Sequence, residues 1–263
     1  MKTPKGMILD MDGVVYLGNR AIPDAVAFLD RIGPLPLVFI TNNSSQPPEA
    51  LHSKLQRLGL PSPGPTAILT SAIATARHLD RLKPGFRYYA VGGPGLHQAL
   101  AALGKEDAQN ADFVVVGEGP GLDYETLTLG INLVMSHGAR LVGTNPDPNL
   151  DGTLLGRRVI LPGGGALVSA FAAATGRTPL IIGKPQPSLY QEALRLLGCE
   201  ASEAVMIGDR PDTDIAGAAA LGIPAVLVRS GRFTPEDAYP TGVPRPHWDV
   251  ESLLDLPWVA KRN

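Results

Sequence analysis

Met7-Ile-Leu-Asp-Met-Asp-Gly-Val-Val15 decides how the rest of this chain is read. Its apolar start, Met7 to Leu9, has the character of the end of a buried strand. Asp10 and Asp12 follow one residue apart. Side chains on a strand alternate with period two, so both carboxylates face the same way. Like charges this close repel unless a cation or a proton comes between them. Gly13 then lets the backbone turn sharply or approach a ligand. The plain alternative is a strand running into an acidic surface turn, and the remainder of the chain weighs against it.

C-terminal to this stretch, apolar residues at helical spacing predict a helix over 24–31, with Pro23 suited to its first turn. Leu37 to Ile40 read as a second buried strand that ends in the small polar run Thr41-Asn-Asn-Ser-Ser45. Pro47-Pro48 opens a helix reaching Leu58 and closed by Gly59, and a further helix is predicted over 71–82. Strand and helix alternate, so a parallel sheet with helical crossovers is expected. Pro84-Gly85 marks a break. Beyond it, strands are predicted at 87–91, 113–116 and 140–143, with helices at 96–103 and 124–137 and an Ala-rich helix that follows Gly163-Gly-Gly165 and ends near Gly176. The stretch 83–179 is therefore itself α/β and large enough to be a domain inserted into a core made of 1–82 and 180–263. After it come a helix at 187–197, an apolar strand Ala204-Val-Met-Ile-Gly-Asp209, a short Ala-rich helix, a strand at 224–228, and a tail from Trp248 expected to add a strand and a helix.

Composition narrows the class. The chain has 263 residues and a formal charge of −2, so nothing in it argues for a nucleic-acid or anionic-membrane partner. A single cysteine excludes an internal disulfide framework and fits a reducing compartment. No apolar run reads as a signal peptide or membrane span, and a cytoplasmic protein is the expectation.

Three strand ends carry chemistry: Asp10 with Asp12, Thr41 to Asn43, and Asp209 to Asp214. In a doubly wound sheet, ligands sit outside the carboxyl ends of the strands, so segments far apart in sequence can converge there. Lys184 adds one cation in a Gly-Lys-Pro turn. Carboxylates, hydroxyl and backbone donors, and one lysine suit a divalent hard cation and a phosphate dianion. Nothing has the spacing of a zinc site.

In order along the chain, Asp10-Met-Asp-Gly-Val14, Thr41-Asn-Asn43, Lys184 in Gly-Lys-Pro-Gln-Pro and Gly208-Asp-Arg-Pro-Asp-Thr-Asp-Ile215 resemble the four motifs of the haloacid dehalogenase (HAD) superfamily. An insert between the second and third motifs resembles the C2 cap. Gly143-Thr-Asn-Pro-Asp147 and Leu161-Pro-Gly-Gly-Gly-Ala166 are similar to the NagD and p-nitrophenyl phosphatase branch. One departure is visible: Glu118-Gly-Pro-Gly-Leu122 intervenes between Gly117 and Asp123, where that branch takes a short step to an Asp. The resemblance implies a Rossmann-like doubly wound core with an inserted α/β cap, and a Mg²⁺-dependent phosphatase of small phosphomonoesters.

Chemistry and resemblance assign the same roles. Asp10 is the expected nucleophile, and Asp12 the general acid and then base. Lys184 offsets charge. The expected metal ligands are Asp10, the Asp12 backbone carbonyl and Asp209, with Asp214 acting through water or by orienting Lys184. The Thr41 hydroxyl and the Asn42 N–H would hold phosphate, supported by Asn43, and Asn145 and Asp147 would touch the leaving group. Plainer readings stand beside these: Thr41 as a helix cap, Lys184 as a loop lysine, and Asn145 and Asp147 as a strand-end turn. Asp212 reads as a helix-entry acid, and Gly92 to Gly95 as a turn. Gly163 to Gly165 read as a cap feature. The substrate stays open among sugar phosphates, nucleoside monophosphates, pyridoxal phosphate and phosphoglycolate. A phosphomutase or a non-catalytic phosphometabolite-binding protein are the other readings. Caps of this kind also suggest a homodimer.

Overall fold

The computed structural model describes residues 3–259. The chain forms two compact units: residues 3–41, 49–69 and 184–259 make the first, and residues 42–48 and 70–183 the second. The expected division lay at 82/83 and 179/180. The units instead change over after Leu69 and Gly183, and the second also takes in Asn42–Pro48. The helix Ser71–Leu82 belongs with the second unit because it packs on the helix Pro94–Ala101. Pro84-Gly85 therefore marks a turn between packed elements and not a domain edge.

In the first unit, six strands are ordered Trp248–Val250, Ala225–Val228, Ala204–Gly208, Gly6–Asp10, Leu37–Thr41, Ile68–Thr70. Gly6–Asp10 runs parallel to both of its neighbours, with Leu9 opposite Ile207 on one side and Asp10 opposite Ile40 on the other. Its five residues are all buried, as befits a central strand covered on both faces. The order explains its importance. From this strand the chain builds outward in one direction through Leu37–Thr41 and Ile68–Thr70, and later in the other through Ala204–Gly208. Asp10 thus closes a strand at the point where the winding reverses, the usual place for a ligand in such sheets. Met7, Leu9, Phe39, Val205, Ile207 and Val226 anchor the core beneath it.

Two local features depart from the expected pattern. A small antiparallel hairpin, Tyr16–Leu17 with Arg20–Ala21, follows the Asp10–Gly13 turn. The tail gives the strand Trp248–Val250 but only a short 3₁₀ turn, Leu253–Asp255, in place of a helix.

The second unit has its own five-stranded parallel sheet, ordered Leu180–Ile181, Arg140–Gly143, Phe113–Val116, Arg87–Val91, Lys105–Glu106. The helix Tyr124–Ser136 starts at a capping box. Asp123 Oδ1 accepts from Thr126 N at 2.8 Å, and Asp123 N donates to Thr126 Oγ1 at 2.9 Å. An antiparallel hairpin, Asn149–Leu154 with Arg157–Pro162, precedes the helix Gly164–Thr175. Among the described residues, no helix is long and apolar enough to cross a membrane.

Candidate active site: a carboxylate cluster at the strand ends

Asp10, Asp209 and Asp214 are brought together at the carboxyl ends of adjacent strands, each offering a carboxylate oxygen within 4.8 Å of the others. All three are buried. Lys184, also buried, lies between two of them, with Nζ 2.6 Å from Asp10 Oδ1 and 2.7 Å from Asp214 Oδ1. Burial alone would lower the lysine's pKa. The carboxylates of Asp10 and Asp214 overcome that and hold it well above the usual lysine range. Burial pushes Asp10 well up, and Asp214 and Asp209 add to this while Lys184 opposes it. Burial and then Asp214 push Asp209 up to about 7, against the Arg232 N–H and Lys184. Three buried carboxylates facing one ammonium leave an excess of negative charge, which a divalent cation would offset.

Backbone geometry fixes where each oxygen points. Asp209 Oδ2 accepts from Arg232 N at 2.7 Å, in a loop whose Ser230 Oγ donates to Gly13 O at 2.8 Å. Gly13 has φ +82°, and a Cβ there would lie 2.2 Å from Asp209 Oδ2, so both conformation and space require glycine. Asp209 Oδ1 is buried and has no hydrogen-bond partner. Such an orphaned oxygen is costly unless something polar meets it. Beside Asp10 and Asp214 it completes an all-oxygen donor set, which fits Mg²⁺ better than a softer metal. Asp214 is tied on both oxygens: Oδ1 to Lys184, and Oδ2 to Arg210 N at 3.0 Å. Gly208 must stay small, because a Cβ there would come 2.3 Å from the Asp214 side chain. Asp212 pairs with the Arg210 guanidinium at 2.7 Å, outside the cluster.

Asp12 stands apart from the carboxylate cluster. Its side chain reaches solvent, and Oδ2 accepts from Tyr16 Oη at 3.2 Å. Desolvation by the surrounding protein pushes its pKa up, opposed by Lys54 and the Tyr16 bond. Lys54 Nζ sits 3.5 Å above the Tyr16 ring. Thr41 is buried at the end of its strand, and the next helix begins only at Pro48, so it is not that helix's cap.

Within the second unit, Asn42 donates from Nδ2 to Asp147 Oδ2 at 2.6 Å, and its carbonyl accepts from Asn145 Nδ2 at 2.8 Å. Asn43 shapes the loop: its Oδ1 accepts from Ser45 N and Gln46 N, both at 3.0 Å. Asn145 is fully buried and Asp147 nearly so, with Asp147 N donating to Asn145 Oδ1 at 3.1 Å.

Tyr16, Lys54 and Arg232 joined these groupings without being singled out from the sequence as site residues. Ser230 to Arg232 follow directly on a buried strand, a signal that was available. Lys54 lies on a helix with ordinary solvent-facing spacing, and nothing local marks it. An apolar groove of 680 Å³ occurs elsewhere in the first unit, by Leu37 and Leu197. No titratable side chain lines it, and the carboxylate cluster is the better candidate.

Residues 7–106 match the family model described as haloacid dehalogenase-like hydrolase, and residues 181–256 match one described as HAD-hydrolase-like. The chain is similar to an acid sugar phosphatase of Staphylococcus aureus, 36% identical over 249 residues that cover 93% of each chain. Among solved structures it is similar to NagD of E. coli K-12, with TM-score 0.87, 33% identity, and coverage of 97% of this chain and 99% of that one. It is also similar to a p-nitrophenyl phosphatase from Archaeoglobus fulgidus, with TM-score 0.87, 30% identity, and coverage of 98% and 99%.

Proposed function

The chain belongs to the haloacid dehalogenase-like hydrolase family, in the branch of NagD and the p-nitrophenyl phosphatases, and from that premise we propose that it is a Mg²⁺-dependent phosphatase of small phosphomonoesters. The observation that carries this reading is the buried group Asp10, Asp209, Asp214 and Lys184, with one carboxylate oxygen left without a hydrogen-bond partner. Asp10 and Asp209, with the Asp12 backbone carbonyl, would hold the cation. Asp214 acts chiefly by fixing Lys184. Bound there, Mg²⁺ supplies the positive charge that lets a carboxylate and a phosphate dianion approach one another.

Asp10 attacks phosphorus and becomes an aspartyl-phosphate, while Asp12 gives its proton to the departing alkoxide. Asp12 then takes a proton from the water that hydrolyses the acyl phosphate, which returns both residues to their starting state. The raised pKa of Asp12 and its access to solvent suit a group that must first carry and then accept a proton. Lys184 keeps Asp10 oriented and offsets charge on the phosphoryl oxygens. The Thr41 hydroxyl and the Asn42 N–H would bind those oxygens. Asn145 and Asp147 hold Asn42 and so support the phosphate-binding segment, beside the leaving-group contact expected of them. The second unit is the cap in this reading. Acid sugar phosphatase is the name of one relative, so sugar phosphates head the candidates, with pyridoxal phosphate and phosphoglycolate as alternatives.

A hydrolysis screen over phosphorylated metabolites and p-nitrophenyl phosphate, ranked by kcat/KM, tests the proposal. Turnover is expected with Mg²⁺, is lost on chelation, and is lost in Asp10→Asn while the fold persists. Asp10→Asn turnover at the wild-type rate would sink the nucleophile assignment. Tight binding of one compound without hydrolysis would favour a non-catalytic binding protein.

A further inference from the structure

Glu118 sits just past the strand Phe113–Val116, buried within the second unit, where a carboxylate needs a reason to be. Its Oε1 accepts from Asn145 Nδ2 at 2.9 Å, and its Oε2 lies 3.4 Å from Ser44 N. Its main chain binds Ser44 and a second loop: Glu118 N donates to Ser44 Oγ at 2.8 Å, and Glu118 O accepts from Gly93 N at 2.7 Å. The second Asn145 Nδ2 hydrogen goes to the Asn42 carbonyl, which also accepts from Ser71 Oγ at 2.7 Å.

We infer that Glu118 is a positioning residue that sets the Asn42 peptide through the Asn145 amide. An ionised carboxylate only accepts hydrogen bonds, and so does a carbonyl. With Glu118 on one side and Asn42 O on the other, the Asn145 amide has one satisfactory orientation: its NH₂ faces both acceptors, and its oxygen is left for Asp147 N. Pinning Asn42 O fixes the peptide plane that leads out of Asn42 and so limits rotation at the residue whose own N–H would hold phosphate. Asp147 grips the Asn42 side chain from a third direction. The two residues that follow Thr41 are thus held by a closed network with a carboxylate at its head. The inference rests on the reading of Thr41–Asn43 as the phosphate-holding segment, because only then does misorienting this backbone weaken phosphate binding.

The test compares Glu118→Ala, Glu118→Gln, Asn145→Ala and the Glu118→Ala/Asn145→Ala double variant with wild type, all with saturating Mg²⁺. The readouts are the inhibition constant of inorganic phosphate, KM and kcat for p-nitrophenyl phosphate, and Tm. Glu118→Ala is expected to raise the phosphate inhibition constant and KM together by roughly tenfold, with a smaller change in kcat. Glu118→Gln keeps an acceptor for Asn145 and should recover most of that loss. Because Glu118 acts on the Asn42 peptide through Asn145, and its own reach to Ser44 N is long at 3.4 Å, the double variant should bind phosphate little worse than Asn145→Ala. Multiplied losses in the double variant, or wild-type constants in Glu118→Ala, would overturn the inference alone and leave the phosphatase reading standing. A wild-type protein that neither binds phosphate nor hydrolyses the ester would overturn both. If Glu118→Ala does not fold, Glu118→Gln and its combination with Asn145→Ala carry the same comparison: a smaller rise that vanishes in the Asn145→Ala background is expected, and an unchanged inhibition constant overturns the inference.

Discussion

Asp209 is gripped on one oxygen and left open on the other. Arg232 N–H holds Oδ2, Gly13 and Gly231 press against it, and the buried Oδ1 has no hydrogen-bond partner. A buried carboxylate oxygen left this way costs about 1–3 kcal/mol or more, which an incoming cation returns. Asp209→Asn removes the charge but keeps an oxygen for Arg232 N, so the fold should persist. The Mg²⁺ concentration for half-maximal turnover should rise by about 100-fold or more. A calorimetric Mg²⁺ titration with an unchanged Kd would take Asp209 out of the metal site. This residue was legible because a carboxylate placed straight after Ala204-Val-Met-Ile-Gly208 has no packing reason to be there. Lys184 and Asp214 were legible for a different reason, as members of ordered motifs. The role of Glu118 was not legible, since its meaning lies in Ser44 and Asn145, far from it in sequence. In the chain it showed only as a residue out of pattern.

Elements of the second unit are tied at their starts by a single residue. Asp112 Oδ2 accepts from Arg87 N at 2.8 Å, its Oδ1 pairs with Lys83 Nζ at 2.6 Å, and its carbonyl accepts from Arg140 N at 2.9 Å. It therefore joins the beginnings of three neighbouring strands. Burial pushes its pKa up, but the Lys83 bond and the Arg87 N–H outweigh that and hold it below the ordinary 3.8. A depressed carboxyl pKa stabilises the fold above its unfolded value, and that contribution disappears as pH falls through the folded value. Asp112→Ala should cost about 1 kcal/mol at pH 7, since the ion pair is partly exposed. The gap to wild type should narrow towards pH 3. Urea midpoints at the two pH values check this, and an equal loss at both would assign the effect to packing. Helices such as Ser71–Leu82 and Pro187–Leu197 were plain in the sequence because their apolar residues recur at helical spacing between turn signals. The hairpin Asn149–Pro162 was not. Its turn places Leu155 at φ +52° ahead of Gly156 at φ +73°, a conformation that leucine rarely takes and that carries no Asn-Gly signature. Leu154, Leu155 and Ile160 are also exposed, so no buried apolar face announced it.

At the scale of the molecule, the described residues include two hydrophobic clusters with no residue in common. One gathers Met7, Leu9, Phe39, Val205 and Val226, and the other Val91, Val114, Leu133, Leu141 and Phe171. Each is built on its own sheet. The sequence already implied an α/β insert, because strand and helix alternate again after Pro84. It could not locate the exchange at Leu69 and Gly183, which depends on the packing of Ser71–Leu82 against Pro94–Ala101. A unit with its own core and its own sheet is able to unfold as its own cooperative step. Asp10, Asp209, Asp214 and Lys184 all belong to the first unit. Mg²⁺ bound there, as proposed, would stabilise that unit by about 2.7 kcal/mol when the free ion stands at 100 times its Kd. Differential scanning calorimetry should therefore resolve two transitions in the chelated protein, and added Mg²⁺ should raise the Tm of one while the other stays in place. In Asp209→Asn the same Mg²⁺ concentration should move neither. A single transition whose calorimetric and van't Hoff enthalpies agree, shifting as a whole with Mg²⁺, would mean that the two cores melt as one cooperative unit despite sharing no residue.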